Sequence, residues 1–210
     1  MKKWLLGLLT MIVVAGSGVW VFKMNSISPE MKIYKSQNNQ AVEQKMSNAS
    51  DRHIIKKIRA TGLYLVTTDS QSKDDVSSTA YVPGPGSAIT GAFFSKGDGI
   101  DVPGGTTITF KPVDFKHLGK NGSFNITNLG RYGIGSDIEP GAYKLKLESV
   151  EGNYKTQLDG IVQLVITSRD GKEKIIQISK ADNQKTISVS QGEMLQIKSS
   201  SDKFNLFFDK

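Results

Sequence analysis

Cysteine is absent from all 210 residues. That excludes a disulfide framework, a thiolate zinc site, a thiol nucleophile and the lipid-carrying cysteine of a lipoprotein, while leaving export open. Histidine is nearly as scarce, and His53 and His117 lie far apart without ligand spacing, so both read as surface or packing residues. No Gly-x-Ser-x-Gly string marks a nucleophile elbow. Ser70-x-x-Lys73 and Ser200-x-x-Lys203 match the Ser-x-x-Lys string of penicillin-interacting enzymes, but both fall in polar segments between strands rather than at a helix start. Gly84 to Gly91 is glycine-rich, yet Pro85 removes an N–H and no Lys-Ser/Thr pair follows, so the stretch reads as a loop and not a phosphate cradle.

Positive charge is plentiful but unevenly placed. Residues 1–58 hold 9 Lys/Arg and 3 Asp/Glu, whereas residues 59–210 hold 18 and 17, so six of the seven net charges precede the body. A near-neutral body is wrong for a nucleic-acid reader, and no nucleic-acid partner is expected.

Lys2 and Lys3 precede Trp4 to Phe22, nineteen residues without a charge. As a helix these span about 28 Å, the hydrocarbon thickness of a bilayer, with Trp4 and Trp20 near the two interfaces. Residues 1–23 therefore read as a signal anchor that contacts membrane lipid through residues 4–22. The competing reading is a cleaved leader, since Ala15-Gly16-Ser17 offers small residues at the right offsets; cleavage there would leave an apolar new terminus. The expected location is the cell membrane, crossed once, with the C-terminal body extracytoplasmic. Residues 24–58 read as a polar basic stalk, with Ser28-Pro29-Glu30 starting a helix and Ser50-Asp51 restarting a short one.

From Ala60 onward the pattern changes to short alternating runs separated by turn residues. The predicted strands are 62–68, 88–95, 99–102, 106–111, 122–127, 131–135, 142–149, 161–167, 174–179, 186–189, 194–198 and 204–208. The expected fold is mostly β, with a transmembrane helix and a partly helical stalk followed by one or two small antiparallel β-sandwich domains. Ile100 to Lys111 overlays Ile187 to Lys198 in its apolar places, and Leu63 to Thr68 overlays Val162 to Thr167. That repeat suggests one β-domain at 59–118 and a second at 119–210.

Tyr132 and Ile134 alternate with glycines, and Tyr143, Leu145 and Leu147 alternate with Lys144 and Lys146. These two runs read as a hairpin-like pair, joined by a type II turn in which Pro140 presets φ and Gly141 supplies a positive one. The sequence from Gly133 through Ser136-Asp137-Ile138, Pro140-Gly141 and Tyr143-Lys144-Leu145 resembles a small repeat of exported and surface-anchored Firmicutes proteins, with the core Y-x-V-G-x-D-I-x-P-G-x-Y. The resemblance covers about residues 122–210, with a weaker echo at 60–117 that lacks the first hairpin. It implies a β-sandwich and an extracytoplasmic site, and it brings no catalytic residue.

Asp98, Asp101, Asp137 and Glu139 are strand-end carboxylates, and read as solvated turn residues they bind no metal. Phe204, Leu206 and Phe208 share one strand face and should be core, which leaves Phe207 on the other. Phe207, Asp137 and Glu139 are thus the candidate partner contacts. The expected function is a non-catalytic binding, adhesion or assembly module without a cofactor, whose partner is another surface protein or a wall polymer. Two alternatives remain: an envelope enzyme acting on wall glycan through a pair of those carboxylates, or a structural subunit of an exported complex.

Overall fold

The computed structural model describes residues 28–70, 83, 86–151, 160–199 and 203–210. The apolar run read as an anchor lies outside the described residues, among which no helix is long and apolar enough to cross a membrane.

Ser28-Pro29-Glu30 does start a helix, α1 (Pro29–Ser36). The Ser28 hydroxyl accepts from the Met31 N–H at 3.2 Å, proline sits in the first turn, and the helix stops at Gln37 with φ of 53°. Strands follow in the order β1 (Gln44–Asn48), β2 (Ile54–Lys57), β3 (Gly62–Ser70), β4 (Ala88–Phe94), β5 (Gly99–Val102), β6 (Thr106–Pro112) and β7 (Phe124–Ile126). The remainder are β8 (Leu129–Gly133), β9 (Gly141–Glu151), β10 (Val162–Thr167), β11 (Glu173–Ile178), β12 (Gln184–Val189), β13 (Met194–Ser199) and β14 (Lys203–Asp209). Every strand read from Ala60 onward is present, within a few residues at its ends.

The strands form an eight-stranded sheet in the order β1-β6-β3-β4-β8-β13-β10-β11, a four-stranded sheet β12-β9-β14-β7 and a two-stranded sheet β2-β5. One six-strand plan is used twice. The order β1-β6-β3-β4 recurs as β8-β13-β10-β11, and the pair β2-β5 recurs as β9-β12. The overlay of Ile100 to Lys111 on Ile187 to Lys198 thus holds in space, as β5-β6 on β12-β13. Among the named strands, pairing is antiparallel except where the two copies meet, at Ile89↔Leu129 and Thr90↔Gly130, which run parallel.

Alternation explains the layers. In β9 Tyr143, Leu145 and Leu147 face inward while Lys144 and Lys146 face water, and in β14 Phe204, Leu206 and Phe208 are buried. They meet Val162, Leu164, Leu195 and Ile197 of the long sheet in the core of the second unit. The first unit has its own core around Tyr64, Phe94 and Phe110, whose rings pack edge to face. A third cluster lies on the opposite face of the long sheet, where Tyr34 of α1 covers Leu63, Val113 and Met194. Leu63 and Met194 are outward neighbours of the inward Tyr64 and Leu195, which places α1 on the outer face across both units.

Three expectations change. Within the segment 24–58, the described residues 28–58 are not a stalk, because β1 pairs with β6, β2 pairs with β5, and Met46 is buried in the first core. Its inward positions include Gln44 and Asn48, polar side chains that mask the alternation. The residues following Ser50-Asp51 form strand β2, not a helix. The strands that the earlier repeat was read as lacking are β1 and β2, which lie in different sheets and form no hairpin. Second, β8 and β9 do not pair as a hairpin. β8 joins the long sheet and β9 the four-stranded one, so the segment between them is a corner that crosses the sandwich. Third, Pro140 and Gly141 do not form a type II turn: Gly141 opens β9 opposite Val189, and the left-handed glycine of the corner is Gly135, at φ of 97°.

Candidate functional site

The most tightly bonded place in the second unit is the corner between β8 and β9. The Gly133 carbonyl accepts from the N–H groups of Ser136, Asp137 and Ile138, and the Gly135 N–H donates to the Ile138 carbonyl. The Leu118 N–H donates to the Asp137 carbonyl, and the Glu139 N–H donates back to the Leu118 carbonyl. A second corner, between β12 and β13, is joined to the first through Ile134 N–H to the Glu193 carbonyl and Gly192 N–H to the Ile134 carbonyl, both 2.9 Å.

Asp137 is built into this corner. Its side chain is buried at 4% exposure, and Oδ2 accepts from the Gly133 N–H at 2.9 Å. Burial raises its pKa to about 6, a rise the Gly133 bond partly offsets. A buried carboxylate engaged by its own corner is not available as a partner contact, so that expectation is corrected. Glu139 is half-buried, with its carboxylate 3.8 Å from His117 Nδ1, while its carbonyl accepts from the Tyr143 hydroxyl at 2.6 Å. Asp98 and Asp101 belong to the first unit instead. Asp98 accepts from the Ser95 N–H, and Asp101 lies 2.9 Å from His53 Nδ1. Each of the four carboxylates thus serves its own local contact. Among the described residues no group of three His, Asp or Glu side chains is placed to hold a metal ion.

Above the corner lies α1. The Tyr34 hydroxyl donates to the Arg131 carbonyl at 2.9 Å, and Arg131 Nη1 donates to Glu30 Oε2 at 2.7 Å. Tyr34 fits because its neighbours lack side chains: a Cβ on Gly91 would stand 2.3 Å from the Tyr34 hydroxyl, and one on Gly133 would stand 2.6 Å from its ring. Beside α1 is a cavity of about 570 Å³, lined by Met31, Tyr34, Ile134 and Met194 and rimmed by Lys35 and Arg169. A second cavity, about 430 Å³, opens between the two units with Asp137, Tyr132, Thr90, Lys111 and Lys116 in its wall. Sequence reasoning found none of this clasp except the start of α1. The signal available was the sparse apolar set Met31, Tyr34, Val42 and Met46, a weak face in a largely polar segment.

On the far side of the second unit, the outer face of the four-stranded sheet is open. Phe207 is half-buried there, in register with Lys146 on one side and Asn125 on the other, and Gln184 extends the row beyond Lys146. The structure places Phe207 as read, away from Phe204, Leu206 and Phe208.

Comparison with known proteins adds little. No protein-family model matches the chain, and no curated protein matches it. A solved structure described as the CUB1-EGF-CUB2 domain of human MASP-1/3 is similar at 10% identity, covering 82% of this chain and 93% of that one, with a TM-score of 0.24. A likeness of that score carries no argument. The class of the molecule rests on its own strands: a mostly β protein of antiparallel sheets.

Proposed function

We propose that the chain is a membrane-tethered extracytoplasmic binding module without catalytic activity. Residues 4–22 anchor it, and the outer face of the four-stranded sheet meets another surface protein or a wall polymer. One observation carries this reading. The helix α1, from which the chain leads back to the apolar run, lies on the outer face of the long sheet, whereas Phe207 lies on the outer face of the opposing sheet. α1 and the open aromatic therefore sit on opposite sides of the sandwich. Phe207 offers a ring and Lys146, Asn125 and Gln184 offer hydrogen bonds around it, the mixture of an aromatic anchor and polar rim that binding surfaces use. The test is retention of the full chain, in washed membranes, on purified wall fragments and on extracted surface proteins. Phe207→Ser should weaken retention by roughly tenfold or more without changing the thermal midpoint. Unchanged retention in Phe207→Ser, or no retention on either material, would reject the reading.

A further inference from the structure

The cavity beside α1 has a composition that its structural neighbours do not use. Its floor is apolar, from Met31, Tyr34, Ile134 and Met194, and its volume of about 570 Å³ is that of a small-molecule site. Its rim carries two cations, Arg169 and Lys35, and one acid, Glu193. Arg169 lies over Gly192, where an added Cβ would come within 2.5 Å of its Nε, and Lys35 faces the same opening from α1. Neither makes an ion pair among the described residues. The neighbouring acids are committed: Asp170 is held well down, to about 2, by Lys172 and Ser168, and Glu193 accepts from the Ser190 N–H at 2.7 Å. An apolar floor beneath two unpaired cations suits a ligand with an apolar body and an anionic head.

Chain length says where such a ligand comes from. Ser28 lines the cavity, and the apolar run ends at Phe22. Six residues of extended chain reach about 20 Å, so the opening cannot lie farther than that from the bilayer surface in a tethered molecule. Ile175, 57% exposed, points out from the same face of the long sheet, since it is in register with Val165, which faces away from the inward Leu164 and Ile166. We infer that this cavity seats an anionic phospholipid of the host membrane, with the start of an acyl chain on the apolar floor and the phosphate against Arg169 and Lys35. The inference rests on the tethered reading above, and it adds a lipid contact distinct from residues 4–22.

The lack of cysteine makes a clean test possible. The full chain carrying Gln191→Cys, labelled with an environment-sensitive fluorophore, is placed in nanodiscs of phosphatidylcholine alone or with 30% phosphatidylglycerol, each containing headgroup spin-labelled lipid. Quenching should be at least threefold stronger with phosphatidylglycerol and should fall to the phosphatidylcholine level in Arg169→Gln/Lys35→Gln, each lost charge weakening the contact roughly fivefold. Equal quenching in the two lipids, or quenching indifferent to the double substitution, overturns the inference. So does an Arg169-dependent response to free glycerol 1-phosphate with no response to phosphatidylglycerol, because the ligand would then be a soluble phosphate. Carbonate extraction from the same lipids reports on the tether separately. If carbonate strips the chain, the tethered reading fails, and Arg169-dependent co-sedimentation with phosphatidylglycerol vesicles then decides the cavity alone.

Discussion

Asp137 shows what one side chain can do at this size of protein. Its neighbours Ser136, Gly133 and Ile138 close a corner around it, and its carboxylate satisfies a buried N–H that would otherwise be unpaired. That bond is made at the expense of hydration. With a folded pKa of about 6 against an ordinary 3.8, the carboxyl keeps its proton longer in the folded chain than in the unfolded one. Its contribution to stability is therefore complete below about pH 4 and is lost as pH rises through about 6. The difference amounts to roughly 2–3 kcal/mol. Thermal unfolding of the full chain followed from pH 4 to pH 7 should show a falling midpoint, and Asp137→Asn should flatten the fall, because the amide oxygen still accepts from Gly133 and never ionises. A parallel fall in both proteins would mean that another group is responsible. Nothing in the sequence announced the burial of Asp137. An aspartate three places before a Pro-Gly pair reads as a solvated turn residue, and only the crossing of the corner between two sheets hides it.

At the scale of elements, what alternation reveals and what it conceals separate cleanly. Period-two burial located β9 and β14 to within a few residues, because Tyr143, Leu145 and Leu147, and Phe204, Leu206 and Phe208, are apolar at every inward place. It could say which face is buried but not which strand lies alongside, so β8 and β9 read as partners when they lie in opposite sheets. In β1 it failed altogether. Gln44, Met46 and Asn48 face inward; Gln44 Oε1 accepts from the Arg59 N–H at 3.1 Å, and Asn48 is held by bonds invisible in the sequence. Asn48 Nδ2 donates to the carbonyls of Arg52 and Val102 at 2.6 and 2.8 Å, and its Oδ1 accepts from the Ser50 N–H at 3.0 Å. Asn48 thus ties β1 to the start of β2 and to the end of β5. Asn48→Ala leaves those groups without their partner and should lower stability by about 2–3 kcal/mol in urea unfolding of the full chain. A loss under 0.5 kcal/mol would return this segment to the status of a loosely held stalk.

At the scale of the molecule, two copies of one six-strand plan share a continuous sheet, but the seam between them is narrow. The parallel pairing of β4 with β8 involves only Ile89↔Leu129 and Thr90↔Gly130. α1 also spans the seam: its Tyr34 packs on Leu63 of the first unit and Met194 of the second and bonds to Arg131. Tyr34→Ala opens a cavity and removes that bond, a loss of about 3–5 kcal/mol concentrated at the seam. Urea unfolding should be a single transition in the parent chain and should broaden or split in two in Tyr34→Ala as the units uncouple. A uniform shift of one sharp transition would show that the seam holds without α1. On the tethered reading proposed above, the same arrangement sets which way the molecule faces, because α1 and the Phe207 row lie on opposite sides of the sandwich.

That orientation is the centre of the account, and it is measured by labelling intact cells with a membrane-impermeant maleimide. The full chain, free of native cysteine, carries a single cysteine either at Asn125→Cys, beside Phe207, or at Lys32→Cys, on the exposed side of α1. The account predicts full labelling at 125 and at least several-fold slower labelling at 32 until the membrane is dissolved. Labelling at neither position before lysis would place the body inside the cell, and equal rates at both would remove the facing of α1 toward the bilayer; either result contradicts it.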